Sequence, residues 1–224
     1  MKKYLYLIVL ICLFPFNSFA AAGAATKYEV TMKEVELCSN VVCSNPYSVG
    51  TGAQVVDIAS MTAGAEAAKF GSTAGLPMNR VFSHIRVTVN RAFVLDGNVD
   101  VSGTTCYPDG DAAGTATSLH EGSTTSTDQA ETTMYIADAG DYGNDNSITM
   151  DYSPSALTYA KTMTIDGTEF TVVYELTTPY TPGPIAPKIK VSFNTSVALG
   201  AGRDNLGTCL FWPQEPYVEI TLTE

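Results

Sequence analysis

Across residues 161–176 apolar and polar side chains alternate on either side of Asp166-Gly167, and this period of two is the strongest constraint in the chain. An Asp-Gly pair suits a two-residue type I′ turn, whose two central positions both need positive φ, so the segment predicts a β-hairpin of 161–165 and 168–176. In that register Met163 faces Phe170 and Ile165 faces Thr168. Val172, Tyr174 and Leu176 extend one apolar face, while Thr162, Thr164, Glu169, Thr171 and Glu175 form the polar one.

The same alternation recurs along most of the chain. Tyr28, Val30 and Met32 are followed by Val35 and Leu37 one place out of phase, which predicts a strand with a bulge. Residues 54–58 read as a short strand. Across 81–95, Val81, Ile85, Val87, Val89, Phe93 and Leu95 oppose His84, Arg86, Thr88 and Asn90, predicting one long strand with one buried face and His84 turned to solvent. Further strands are expected at 99–102, 133–137, 147–152, 189–193, 209–212 and 217–222, with a turn over 200–207. The segment 108–131 is mostly Gly, Ser, Thr, Ala and acids, too polar to pack, and reads as a mobile loop. Only 59–70, rich in Ala with Ser60 as a cap and Gly71 as a stop, reads as a helix, of a turn or two at most. About ten short strands with one-face alternation predict an all-β, two-sheet antiparallel β-sandwich. A jelly roll is one form of it, and a closed barrel is the alternative.

At the N-terminus Lys2 and Lys3 precede an apolar run over 4–16, and Ser18 and Ala20 place small residues before a cut. This is the pattern of a secretory signal peptide over 1–20, with Ala22 or Ala24 as alternative cleavage sites. The run falls short of the ~20 residues that cross a bilayer, so no transmembrane span is expected once the signal is removed. A small-residue segment over 21–26 reads as flexible, and 27–224 as a single sandwich domain. The expected location is outside the cytoplasm: periplasm, cell surface or medium.

Export makes disulfides the natural state of Cys38, Cys43, Cys106 and Cys209. Four cysteines allow three pairings; proximity suggests Cys38 with Cys43, leaving Cys106 with Cys209. A zinc site would need a second short Cys motif, which the sequence lacks. Loss of Lys2 and Lys3 leaves 10 − 23 = −13 formal charges, which argues against nucleic acid as a partner. Between Arg91 and Lys161 there are eleven Asp or Glu and no Lys or Arg, a block suited to solvated loops or to a cation.

The catalytic types are sparse. His120, beside Glu121 in the expected loop, has no nucleophile elbow to serve, and the many carboxylates single out no pair for glycoside hydrolysis. No enzyme activity is expected. Asp138, Asp141, Asn144, Asp145 and Asn146, with Gly140 and Gly143 between them, form a candidate calcium loop, because calcium takes six to eight oxygen donors; the same residues are ordinary turn formers. Asp109 and Asp111 make a smaller cluster. No other cofactor is expected. Tyr107, Tyr142 and Tyr180, in expected loops, are candidate ligand-contact rings for a glycan or a protein. Exported all-β modules occur among fibre subunits, adhesins and carbohydrate-binding modules. The leading expectation is therefore a structural or adhesive protein whose partner is itself or another surface protein, joined through its terminal edge strands. A monomeric module for a glycan or calcium-linked ligand is the alternative.

Overall fold

The computed structural model describes residues 21–61, 71–110, 119–136 and 158–224. In chain order the strands are β1 (Ala21–Gly23), β2 (Ala25–Cys38), β3 (Tyr47–Asp57), β4 (Phe82–Asn90), β5 (Ala92–Gly97), β6 (Val99–Val101) and β7 (Thr104–Pro108). Then follow β8 (His120–Ser123), β9 (Thr132–Tyr135), β10 (Ala160–Asp166), β11 (Glu169–Tyr180), β12 (Lys188–Asn194), β13 (Leu199–Arg203), β14 (Cys209–Pro213) and β15 (Tyr217–Thr223). All the ladders between them are antiparallel, and no α-helix occurs among the described residues.

The long strand β2 organises the first layer. Along one edge it pairs with β3; along the other it pairs with β4 through residues 32–38 and with β5 through residues 25–29. The bulge appears as a register shift between Met32 and Glu34, where the apolar phase changes. β4 and β5 lie in line, so the expected strand over 81–95 exists but bends at Arg91, and Val81 stays outside it, half-exposed. Beyond the bend the sheet forks: β11 and then β10 continue beside β4, and β9 continues beside β5. Arg91 stitches the fork. Its backbone N–H donates to Thr168 O, its carbonyl accepts from Ile136 N–H, and its guanidinium donates to Ile136 O at 2.8 Å and to Gly167 O at 2.9 Å.

That clamp explains a correction. The β10–β11 hairpin exists, but Asp166 pairs with Glu169 and the turn is Gly167-Thr168, with positive φ (58°) at Gly167 only. This is the type II′ pattern rather than type I′. Met163 therefore faces Val172 and Ile165 faces Phe170, two residues from the expected register. A slip of two leaves every side chain on its predicted face, so the amphipathic pattern alone could not detect it.

The second layer is one long ribbon, β12–β13 running out and β14–β15 returning. Lys188 pairs with Thr223 at one end and Arg203 with Cys209 at the other, with Asp204–Thr208 as the tip. The first half of the expected turn over 200–207 is strand, because Gly200, Ala201 and Gly202 are small enough to lie buried opposite Trp212, Phe211 and Leu210, and the chain turns at 204–208. β1 adds to the outer edge of β13, while β8, β7 and β6 extend from β14. In the segment 21–26, residues 21–23 form β1, and β2 begins at Ala25. The expected loop over 108–131 is also partly structured, with β8 and a 3-10 turn at Ser126–Asp128. At the corner where β5 leaves one layer for β6 in the other, Gly97 has φ 149° and any side chain there would strike Ala24 O. Most of the expected helix and the strand at 147–152 lie outside the described residues; Ala59–Met61 form a turn.

Two clusters fill the sandwich. One joins Tyr28, Phe93, Leu95, Met134, Phe170, Leu199 and Phe211; the other joins Leu37, Phe82, Ile85, Leu176, Ile189, Val191 and Ile220. Each side chain buried in this way contributes about 1.5–3 kcal/mol. Cys106 pairs with Cys209, tying β7 to β14, with Cα atoms 5.8 Å apart. Cys38 pairs with Cys43, Cα to Cα 4.9 Å, at the far end of β2. The pairing that proximity suggested is the one formed.

Candidate functional site

At the end of the sandwich where β2 stops and β4 starts, the apolar pattern breaks its own rule. Among the described residues nine large apolar side chains are exposed, and five of them, Val41, Val42, Met78, Val81 and Ile185, lie on loops at this pole. Single exposed apolar residues are ordinary, whereas a cluster on neighbouring loops marks a contact surface. The loops are held firmly. The Cys38–Cys43 bridge closes the loop that presents Val42, which is 77% exposed, and both Cys43 (φ 56°) and Asn45 (φ 54°) adopt left-handed backbone. Such a conformation at a non-glycine residue costs of order 1 kcal/mol and persists where the surroundings impose it.

Arg80 ties this loop to the next. Its Nε donates to Ser39 Oγ at 2.7 Å, another guanidinium N–H donates to Asn45 O, and its Cζ sits 5.0 Å from the centre of the Phe82 ring. Ser83 Oγ donates to Ser39 O at 3.0 Å. On the other side Thr73 Oγ1 donates to Pro187 O at 2.5 Å, and between 73–78 and 182–187 lies a groove of about 250 Å³ that includes Met78 and Ile185. The prolines at 182, 184 and 187 fix φ and keep this wall stiff.

A second feature lies inside the sandwich, at the seam between the two core clusters. Met32, Val87, Tyr174 and Phe193 pack on both clusters yet remain half-buried, and they line an apolar cleft of about 170 Å³ between β2, β4 and β11 on one side and the β12–β15 ribbon on the other. Among the described residues its ionisable lining is Tyr28, Tyr174 and Glu215. Tyr28 Oη donates to Gln214 O at 3.0 Å. The Glu215 carboxylate accepts the backbone N–H groups of Thr158, Tyr159 and Ala160 at 2.6–3.2 Å, so the link between β14 and β15 is latched to the start of β10. Burial above all, then the Glu215 charge, push the Tyr174 hydroxyl far above its ordinary pKa of 10.0. Tyr28 is raised likewise, by burial first, then Tyr174 and Glu215.

The residues singled out by sequence are scattered. Asp138, Asp141, Asn144, Asp145, Asn146, Asp111 and Tyr142 lie outside the described residues. Tyr107 is in β7 and Tyr180 ends β11, in different sheets; Tyr180 Oη donates to Glu224 Oε1 at 3.4 Å. Among the described residues no group of three or more His, Cys, Asp or Glu is placed to hold a metal ion. His120 is not in a mobile loop: it lies in β8, 2% exposed, with Nε2 3.3 Å from Asp109 Oδ1. Pairing with Phe211 on β14 draws it inside. His84 is half-buried, in the phase opposite the buried Ile85 and Val89, with Nδ1 2.8 Å from Ser83 Oγ.

The terminal strands also differ from expectation. Residues 28–32 belong to β2, which is paired on both edges and so offers none to a neighbour. Among the described residues β12 and β15 pair only with each other. Sequence missed the pole because exposed valines inside short loops look like strand residues; the tight Cys38-to-Cys43 spacing was the available signal that such a loop is displayed. The cleft had no local signal, since its walls come from both layers. No family model, curated protein or solved structure matches this chain.

Proposed function

We propose that the chain is an exported structural or adhesive protein of the periplasm or cell surface, and that it meets its partner, a second copy or another surface protein, through the apolar pole. The clustering of Val41, Val42, Met78, Val81 and Ile185 on tied loops carries the reading. Loops that are stiff before contact lose little conformational entropy on binding, so modest apolar area yields usable affinity. β12 and β15, which pair with no other described strand, reach the same pole, where Lys188 pairs with Thr223 beside Pro187, and can offer backbone groups to an added strand. Lys188 and Lys190 on β12 guard that strand against indiscriminate pairing and leave β15 as the less guarded one.

The test compares the mature protein with Val42→Asp and Ile185→Asp variants, by light scattering over a concentration range and by retention on cells that lack the protein. The expected result is mass growth or retention for the parent, lost in both variants with unchanged thermal stability, because the replaced side chains are exposed. A parent that stays monomeric and is retained no better than the variants removes the pole as an interface.

A further inference from the structure

The seam cleft is unlike the cores it separates. Its walls are apolar, but Met32, Val87, Tyr174 and Phe193 are each only half-buried, so the space opens to solvent rather than being a sealed packing void. Among the described residues no Lys, Arg or His lines it. At its polar end the Tyr28 hydroxyl proton is committed to Gln214 O, and the Glu215 carboxylate is committed to the amides of 158–160. Tyr174 supplies the remaining hydroxyl of the lining among the described residues.

We infer that the cleft is a binding site for a small uncharged ring compound carrying one hydroxyl or N–H group, with phenol and indole as the simplest members. Size sets the first limit: an apolar cavity of about 150 Å³ takes benzene, and this one, at about 170 Å³, admits a ring with one polar substituent but not a long acyl chain. Charge sets the second. A carboxylate would meet no cation among the described residues and would face Glu215, whereas an uncharged O–H or N–H can donate to the Tyr174 oxygen. The ring would fill the seam against Met32 and Phe193, where sulfur and aromatic contacts are favourable.

The methionines give a direct readout. Met32, Met61 and Met163 line the cleft, while Met134 is buried elsewhere and Met78 is exposed at the pole. In the mature protein labelled at the methionine methyl carbons, titration with indole or phenol to about 10 mM is expected to shift Met32 and Met163 saturably, with a Kd of about 0.1–1 mM, and to leave Met78 unmoved. Benzoate, of similar size but charged, is expected to produce no saturable shift. Tyr174→Phe, which keeps the ring and the packing, is expected to weaken phenol binding about fivefold. Val87→Phe, which fills the cleft, is expected to abolish it, and thermal unfolding of that variant shows whether it is folded. The inference is overturned if neither probe shifts Met32 and Met163, if benzoate binds as well as phenol, or if Tyr174→Phe binds phenol like the parent. It is equally overturned if those methyls move with protein concentration alone, since a second copy would then be the occupant.

Discussion

Replacing Arg91 by Met keeps an unbranched apolar stem of similar reach and removes the two guanidinium bonds that close the fork of the first sheet. The Ile136 carbonyl is buried where Arg91 Nε meets it, and stranding it costs about 2 kcal/mol; the bond to the carbonyl of the exposed Gly167 contributes about 1 kcal/mol. The sum, roughly 3 kcal/mol, corresponds to a fall in Tm of about 6–12 °C for a chain of this size. Urea unfolding followed through the single tryptophan, Trp212, buried in β14, measures the loss, and hydrogen exchange locates it. Faster exchange is expected at β9 and at the Gly167-Thr168 turn, with little change in the β12–β15 ribbon. Arg91→Lys, which can restore one of the two bonds, is expected to recover about half. If Arg91→Met stays within about 0.5 kcal/mol of the parent and exchange at the turn is unchanged, the backbone bonds of residue 91 suffice and the guanidinium is not what sets the hairpin register.

The two disulfides are expected to differ. Replacing Cys106 and Cys209 together by Ala opens a sequence separation of 103, for which chain entropy gives about 4.7 kcal/mol, whereas the separation of 5 between Cys38 and Cys43 gives roughly 2 kcal/mol; equal losses in urea titrations would refute the entropic account. Alkaline stability is set in part by Tyr28 and Tyr174, whose folded pKa values lie above the ordinary 10.0. The folded state therefore holds protons that the unfolded chain releases, so their stabilisation is fully present below about pH 10 and is lost as the pH rises above it. The drop in urea midpoint between about pH 9 and pH 11 should be shallower in a Tyr28→Phe/Tyr174→Phe variant, and an unchanged slope would show that other groups govern it.

What could be read from the chain and what could not divides along the range of the interactions. Alternation at Tyr28–Met32, Val35–Leu37 and 161–176 identified strands and their buried faces, because the side-chain period of a strand is a local property of the backbone. Even the bulge was legible, as a change of phase between Met32 and Val35. The short spacing of Cys38 and Cys43 suggested their bridge for the same reason. The turn residue of the hairpin was not legible, since slipping by two conserves the pattern and a distant side chain, Arg91, holds the turn at Gly167. His120 looked like a loop residue among Gly, Ser and Thr; its burial follows from pairing with β14, ninety residues away in sequence. Alone, then, the sequence determined an all-β chain and which side of most strands faces inward. Tertiary structure decided the strand order, the gathering of Val42, Met78 and Ile185 at one pole, and the cleft at the seam, because each arises from elements that are remote in the chain and meet only when the two layers pack.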